Sequence, residues 1–143
     1  MEARNSDYYN EAKRVFHEAH FVRDVGYELL GCGPGWCESR LITQKRHQQH
    51  DGVLHAGVQA TMADHTAGTA ATTLIAADEF VLTAEFKINL LRASRASDLR
   101  CCSEVIKSGG RLIVAKSELR DHDDSSDDLI SFAIVTLAVL KKL

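Results

Sequence analysis

Apolar positions recur along the chain with three different rhythms. Behind Ser6, which suits a helix cap, Tyr8, Ala12, Val15 and Ala19 follow at helical spacing and predict a peripheral amphipathic helix to about residue 20. From Val22 to Leu30, and again from Trp36 to Ile42, the pattern shortens. The GCGPG between them carries turn residues, so a strand, a tight turn and a second strand are expected. Residues 43–52, TQKRHQQHDG, have no periodicity and read as a loop. Residues 56–76, AGVQATMADHTAGTAATTLIA, read as a helix so rich in Ala, Gly and Thr that no face has much bulk. Such a helix makes physical sense inside a curved sheet that approaches it closely.

The strand signal is clearest at Phe80, Leu82, Ala84, Phe86, Ile88 and Leu90, which alternate with Thr83, Glu85, Lys87 and Asn89. One core face and one polar face are predicted. Residues 98–107 and 111–121 read as two strands joined through SGG, a hairpin turn. The acidic DHDDSSDD that follows reads as a solvated loop, since it lacks the glycine and terminal glutamate spacing of a calcium loop. The final run, LISFAIVTLAVL, suits a strand buried on both sides, central in the sheet or in an oligomer interface. Helix, two strands, a long small-residue helix and four strands make an α+β domain, and 143 residues suit one domain.

Composition narrows the function classes. With 45% hydrophobic and 26% charged residues and one proline, the chain has the make-up of a globular protein. A net charge of -3 gives no footprint for nucleic acid or an acidic membrane surface, so neither partner is expected. No apolar run reaches the length of a membrane span, and the polar MEARNSDYYNEAKR lacks the apolar core of a signal peptide. A cytoplasmic protein is expected. Cys32, Cys37, Cys101 and Cys102 lack the spacing of a zinc knuckle and are read as reduced structural thiols.

Candidate chemistry gathers at the start of the small-residue helix. His55, Ala56 and Gly57 sit where the first backbone N–H groups lack internal partners and can donate to an anion. Asp64 lies two turns further on among alanines and threonines, where a carboxylate is costly unless it has a task. His47, His50, Asp51, His55, Asp64 and His65 crowd within twenty residues as potential metal ligands. The spacing argues against a metal, because His65 directly follows Asp64 and no pair of histidines stands at i, i+4.

HDGVLHAGVQATMADHTAGTAA, residues 50–71, together with TAEFKINLLRAS, residues 83–94, resembles the phenylacetyl-CoA-type branch of the hot-dog-fold thioesterases, over roughly residues 22 to 140. Neither composition nor spacing alone names that family. The resemblance implies a curved antiparallel sheet wrapped around one long central helix. It also implies hydrolysis of an acyl-CoA to free acid and CoA, with no cofactor apart from the CoA of the substrate. Asp64 would be the general base that activates water, or the nucleophile that attacks the thioester. The residue eight before the acid polarises the carbonyl in the family; here it is Ala56, where many relatives have glycine, with Gly57 beside it. Fixed amides of this kind are worth about 3 kcal/mol in other enzymes. Gln49, six before His55, would orient the water or the acid, with Gln48 and His50 one position away. His55 would touch the thioester or tie down the loop. Thr83 matches a Ser or Thr that, in some relatives, holds the attacking water from the neighbouring subunit.

The same resemblance implies a homodimer or homotetramer with sites between subunits. For CoA it offers Lys87, Asn89, Arg92, Arg95, Gly110 and Arg111, and for the acyl group Thr66, Gly68 and Thr69. Where relatives often have proline, this chain has Ala93 and Ser94. The acyl group stays open among aromatic, short-chain and medium-chain types, as does an acyl-carrier-protein substrate. A non-catalytic acyl-CoA-binding protein and a hot-dog hydratase or dehydratase are the alternatives of the same fold.

Overall fold

A computed structural model describes residues 1–123 and 128–143. The elements run α1 (Tyr8–Glu18), α2 (His20–Val25), β1 (Glu28–Gly33), β2 (Trp36–Ile42), a 3-10 turn (Lys45–His47), α3 (Ala56–Thr72), β3 (Glu79–Leu90), β4 (Asp98–Ser108), β5 (Leu112–Asp121) and β6 (Leu129–Lys141). The six strands form one antiparallel sheet in the order β1-β2-β4-β5-β6-β3, and α3 packs on one face of it. This is the hot-dog arrangement that the sequence led us to expect. No helix among the described residues is long and apolar enough to cross a membrane.

Small side chains let α3 lie close to the sheet. Ala63, Ala67, Ala70 and Ala71 are fully buried, and Leu41, Leu99, Ile113, Leu119, Ile130 and Leu137 fill the space around them. At this range hydroxyls on the sheet reach the helix. Ser117 donates to the Ala63 carbonyl at 2.7 Å and pairs with Ser103, while Ser39 pairs with Thr66 at 2.7 Å. Buried polar groups that find such partners avoid a desolvation penalty of about 1–3 kcal/mol each.

Several expectations change. The N-terminal helix starts at Tyr8 with Asp7, not Ser6, at its cap position. Val22 to Val25 belong to a second short helix rather than to a strand; Gly26, at φ 103°, closes it, and its N–H donates to the Val22 carbonyl. The glycines of GCGPG serve two purposes. Gly31 and Gly33 are strand residues under the indole of Trp36, where any side chain at Gly33 would collide with the ring. Only Pro34 and Gly35, between paired Gly33 and Trp36, make the turn, with Gly35 at φ 83°. α3 ends at Thr72, four residues early, although Leu74 and Ile75 remain in the core.

The most consequential change is in β3. Its pairing with β6 slips between Thr83 and Glu85, a bulge at Ala84. Before the bulge Val81 and Thr83 stand opposite Val139 and Leu137 on the helix side, with Phe80 and Leu82 on the outer side. After it Phe86, Ile88 and Leu90 take the helix side, while Glu85, Lys87 and Asn89 face outward. The predicted single apolar face is therefore divided, and Thr83 is separated from the polar residues that follow it. β3 is also a sheet edge, with Leu82 54% and Phe86 42% exposed. β6 is interior in the sheet, as expected, but from Ser131 to Ala138 only its helix-facing residues are fully buried, and the alternate ones are half-buried.

Candidate active site

The amino end of α3 is held by histidines. His47, buried at 3% exposure, accepts from the Gln44 N–H through Nδ1 and donates from Nε2 to the Val25 carbonyl. Its own carbonyl receives the His55 N–H at 2.9 Å. His55 is the N-cap, and its Nδ1 accepts from the Gly57 N–H at 2.8 Å. That bond occupies Gly57. Among the described residues the Ala56 N–H donates to nothing, so of the two candidate amides only Ala56 is open. A further anchor gave no sequence signal: the Tyr27 hydroxyl, on the residue before β1, donates to the Val58 carbonyl at 2.6 Å, and burial pushes its pKa up.

One flank of α3 keeps some exposure: Gly57, Ala60, Thr61, Asp64 and Gly68. The other lies under α1, where Ala12 and Phe16 are buried. Asp64 is therefore partly exposed on the flank of α3 that meets β3, and Thr83 donates to its Oδ1 at 2.7 Å. Both residues belong to one chain. The resemblance implied a role for Thr83 from the neighbouring subunit; within this chain it lies before the bulge, on the helix side, and bonds its own α3. His65 faces the other way, with Nε2 3.1 Å from the Phe16 carbonyl and its ring against Phe16; burial lowers its pKa. His47 and His65 thus spend ring nitrogens on backbone carbonyls rather than converging with Asp64.

A family model of the thioesterase superfamily matches residues 51–126, which include all of α3 and β3. The chain belongs to the thioesterase superfamily. It is 30% identical, over 82% of its length and 94% of the relative's, to a 1,4-dihydroxy-2-naphthoyl-CoA hydrolase of Listeria monocytogenes. Among solved structures, a thioesterase family protein from Silicibacter pomeroyi superposes with a TM-score of 0.90 at 28% identity, covering 94% of this chain and 98% of that one. A thioesterase from Haemophilus influenzae gives 0.86 at 22% identity over 100% and 97%, a likeness of fold. Thioester hydrolysis is the chemistry of the family.

Other residues proposed from the sequence lie elsewhere. The Gln49 side chain accepts from the Asp51 N–H inside its own loop, and does not turn to the helix. Arg92 is ion-paired with Asp121 at 3.1 Å and Asp128 at 2.7 Å. Lys87 and Asn89 point away from the side of the sheet that carries α3, because of the bulge. Arg95 bonds the Asp51 carbonyl at 3.1 Å and supports the loop before α3. Gly110 and Arg111 form the β4–β5 turn, and Gly110 lies near Leu74, beyond the carboxyl end of α3. A helix of 17 residues is about 25 Å long, so that turn is far from the amino end. Thr66 and Thr69 are buried and bonded to Ser39 and the His65 carbonyl, which leaves Gly68 as the open position of the three. The acidic loop falls partly on residues 124–127, outside the described residues.

Proposed function

We propose that this thioesterase hydrolyses an acyl-CoA, with Asp64 as general base or nucleophile and the Ala56 amide of a second copy as the oxyanion donor. The observation that carries the reading is the bond from Thr83 to a partly exposed Asp64, on a helix that begins with an unpaired amide. As a base, Asp64 takes a proton from water while the water oxygen bonds to the carbonyl carbon; the C–S bond then breaks and CoA leaves as thiolate. As a nucleophile, its oxygen bonds to that carbon, expels the thiolate and leaves a mixed anhydride that water cleaves.

Distance argues for two chains. Ala56 and Asp64 are eight residues apart, or about 12 Å along the helix axis. A carbonyl bound at its oxygen and attacked at its carbon, each at about 3 Å, bridges only about half that span. A second α3, antiparallel across a two-fold axis, would bring its amino end to Asp64. The long exposed edge of β3, with Leu82 and Phe86 uncovered, supports such pairing and a homodimer or homotetramer. A cytoplasmic setting fits four free cysteines.

The test is release of free thiol from a panel of acyl-CoAs, with hydroxynaphthoyl-CoA included on the strength of the Listeria relative. Asp64→Asn is expected to lower kcat by at least about a thousandfold while folding and acyl-CoA binding persist. Turnover in that variant at the wild-type rate would refute the assignment. Binding without hydrolysis by the wild-type chain would make it a binding protein.

A further inference from the structure

We infer that the far end of the acyl group lodges in a cleft between α1, α3 and β3, and that this cleft selects neutral, linear, medium-length acyl chains. The inference rests on the Asp64 reading and names its substrate class. A cavity of about 220 Å³ lies there, walled by Val15 of α1, Thr72 and Ile75 at the end of α3, and Phe80 and Val81 of β3. That volume is below what encloses a whole ligand, so it suits one portion of a substrate.

Two independent links join the cavity to the proposed reaction centre. On the helix, Asp64, Gly68 and Thr72 are spaced by four residues and stay on neighbouring rows, with Thr72 about 12 Å beyond Asp64. On the strand, Val81 and Thr83 point to the same side, about 7 Å apart, and Thr83 is the residue bonded to Asp64. Gly68, half-buried and without a side chain, stands between and offers only backbone to a passing chain, with the Leu137 side chain packed beside it. An acyl chain leaving the carbonyl at Asp64 toward the carboxyl end of α3 therefore runs past Gly68 to Val15, Ile75 and Val81.

The rim decides the charge. Glu11, Arg14 and Glu79 border the cavity, but Glu11 and Arg14 are bonded to each other at 2.8 Å, Arg14 also holds Glu18 at 2.9 Å, and Glu79 is paired with Arg4 at 2.7 Å and Lys141 at 3.3 Å. Their charges are matched within the protein, so a chain ending in a carboxylate gains no new partner while an apolar end gains burial. The relevant ligand is thus a neutral chain long enough to cross about 7–12 Å. Acetyl and other short acyl groups stop short of the cavity.

The test is binding of acetyl-, butanoyl-, hexanoyl-, octanoyl- and decanoyl-CoA, by calorimetry, to protein carrying Asp64→Asn. Affinity is expected to rise up to about fourfold per methylene once the chain reaches the cavity. Adding Val15→Trp, which fills the cavity, should flatten that rise, and Val15→Ala should carry it to a longer chain. The alanine variant guards against a tryptophan variant that does not fold. A profile that is flat in Asp64→Asn, or unchanged by both Val15 substitutions, would overturn the inference, as would tighter binding of hydroxynaphthoyl-CoA that Val15→Trp does not affect. Chain-length-dependent binding in a protein whose wild type releases no thiol would sink the hydrolase reading and leave this one standing.

Discussion

Thr83→Val is the sharpest perturbation of the proposed centre, because valine keeps the shape of threonine and removes only the hydroxyl that donates to Asp64 at 2.7 Å. A hydrogen bond to a charged group contributes about 1.5–3 kcal/mol when sheltered. Both partners here retain contact with solvent, so the lower end applies, and about 1–1.5 kcal/mol corresponds to a five- to twelvefold loss. The loss should fall on kcat, because the bond orients the attacking group rather than the CoA, and KM should move less than twofold. Thr83→Ser restores the donor and should recover most of the rate. A double variant makes the reasoning testable without assuming a magnitude. If Thr83 acts through the Asp64 carboxylate, then in an Asp64→Asn background Thr83→Val should cost nothing further in residual thiol release. Two losses that multiply in the double variant, or a Thr83→Val enzyme at wild-type kcat, would refute the idea that Thr83 positions Asp64.

His55→Ala removes the cap on Gly57 and should cost about 1 kcal/mol of stability, a fall in Tm of about 3 °C by calorimetry, which His55→Ser or His55→Asn recovers. No fall in Tm would mean that the imidazole does not cap the helix. Glu11 binds Arg14 and Lys142, and the Arg14 guanidinium above all holds its carboxyl down at about 2. A carboxylate whose folded pKa is depressed adds stability above its unfolded value of about 4.5 and loses it as pH falls toward 2. Wild type should therefore exceed Glu11→Gln in Tm at pH 6, with the gap closing between about pH 4.5 and 2; a gap constant with pH would refute the assignment.

Much of the fold was legible because the strongest signals were local. Period-two runs marked β3 to β6, and an alanine-rich segment marked α3, since burial and repeat length act residue by residue. Two failures have a physical cause in common. Gly31 and Gly33 looked like turn residues because the sequence does not reveal that Trp36, across the hairpin, needs the room. The faces of β3 were misassigned before Ala84 because a bulge leaves hydrophobic alternation intact in the sequence while exchanging the sides on which the residues before and after it fall. Asp64 was legible as a charge in a helix with little polar surface, yet neither its bond to Thr83 nor the capture of Gly57 by His55 could be read from spacing.

The bulge links these points to the chemistry. Were Ala84 to take a regular place in the ladder, strict alternation from Val81 and Thr83 would turn Glu85, Lys87 and Asn89 toward α3, and the proposed acyl side of Asp64 would be lined with charge. With it, Thr83 still reaches the carboxylate, and the next residues on the helix side are Phe86, Ile88 and Leu90. One inserted residue thus gives a single edge strand both a polar contact for the acid and an apolar wall beside it, which an acyl group attacked in a water-accessible cleft requires. The same strand leaves apolar side chains uncovered on both faces at the sheet edge, so the feature that shapes the site also favours the second copy that the proposed mechanism calls on for its amide.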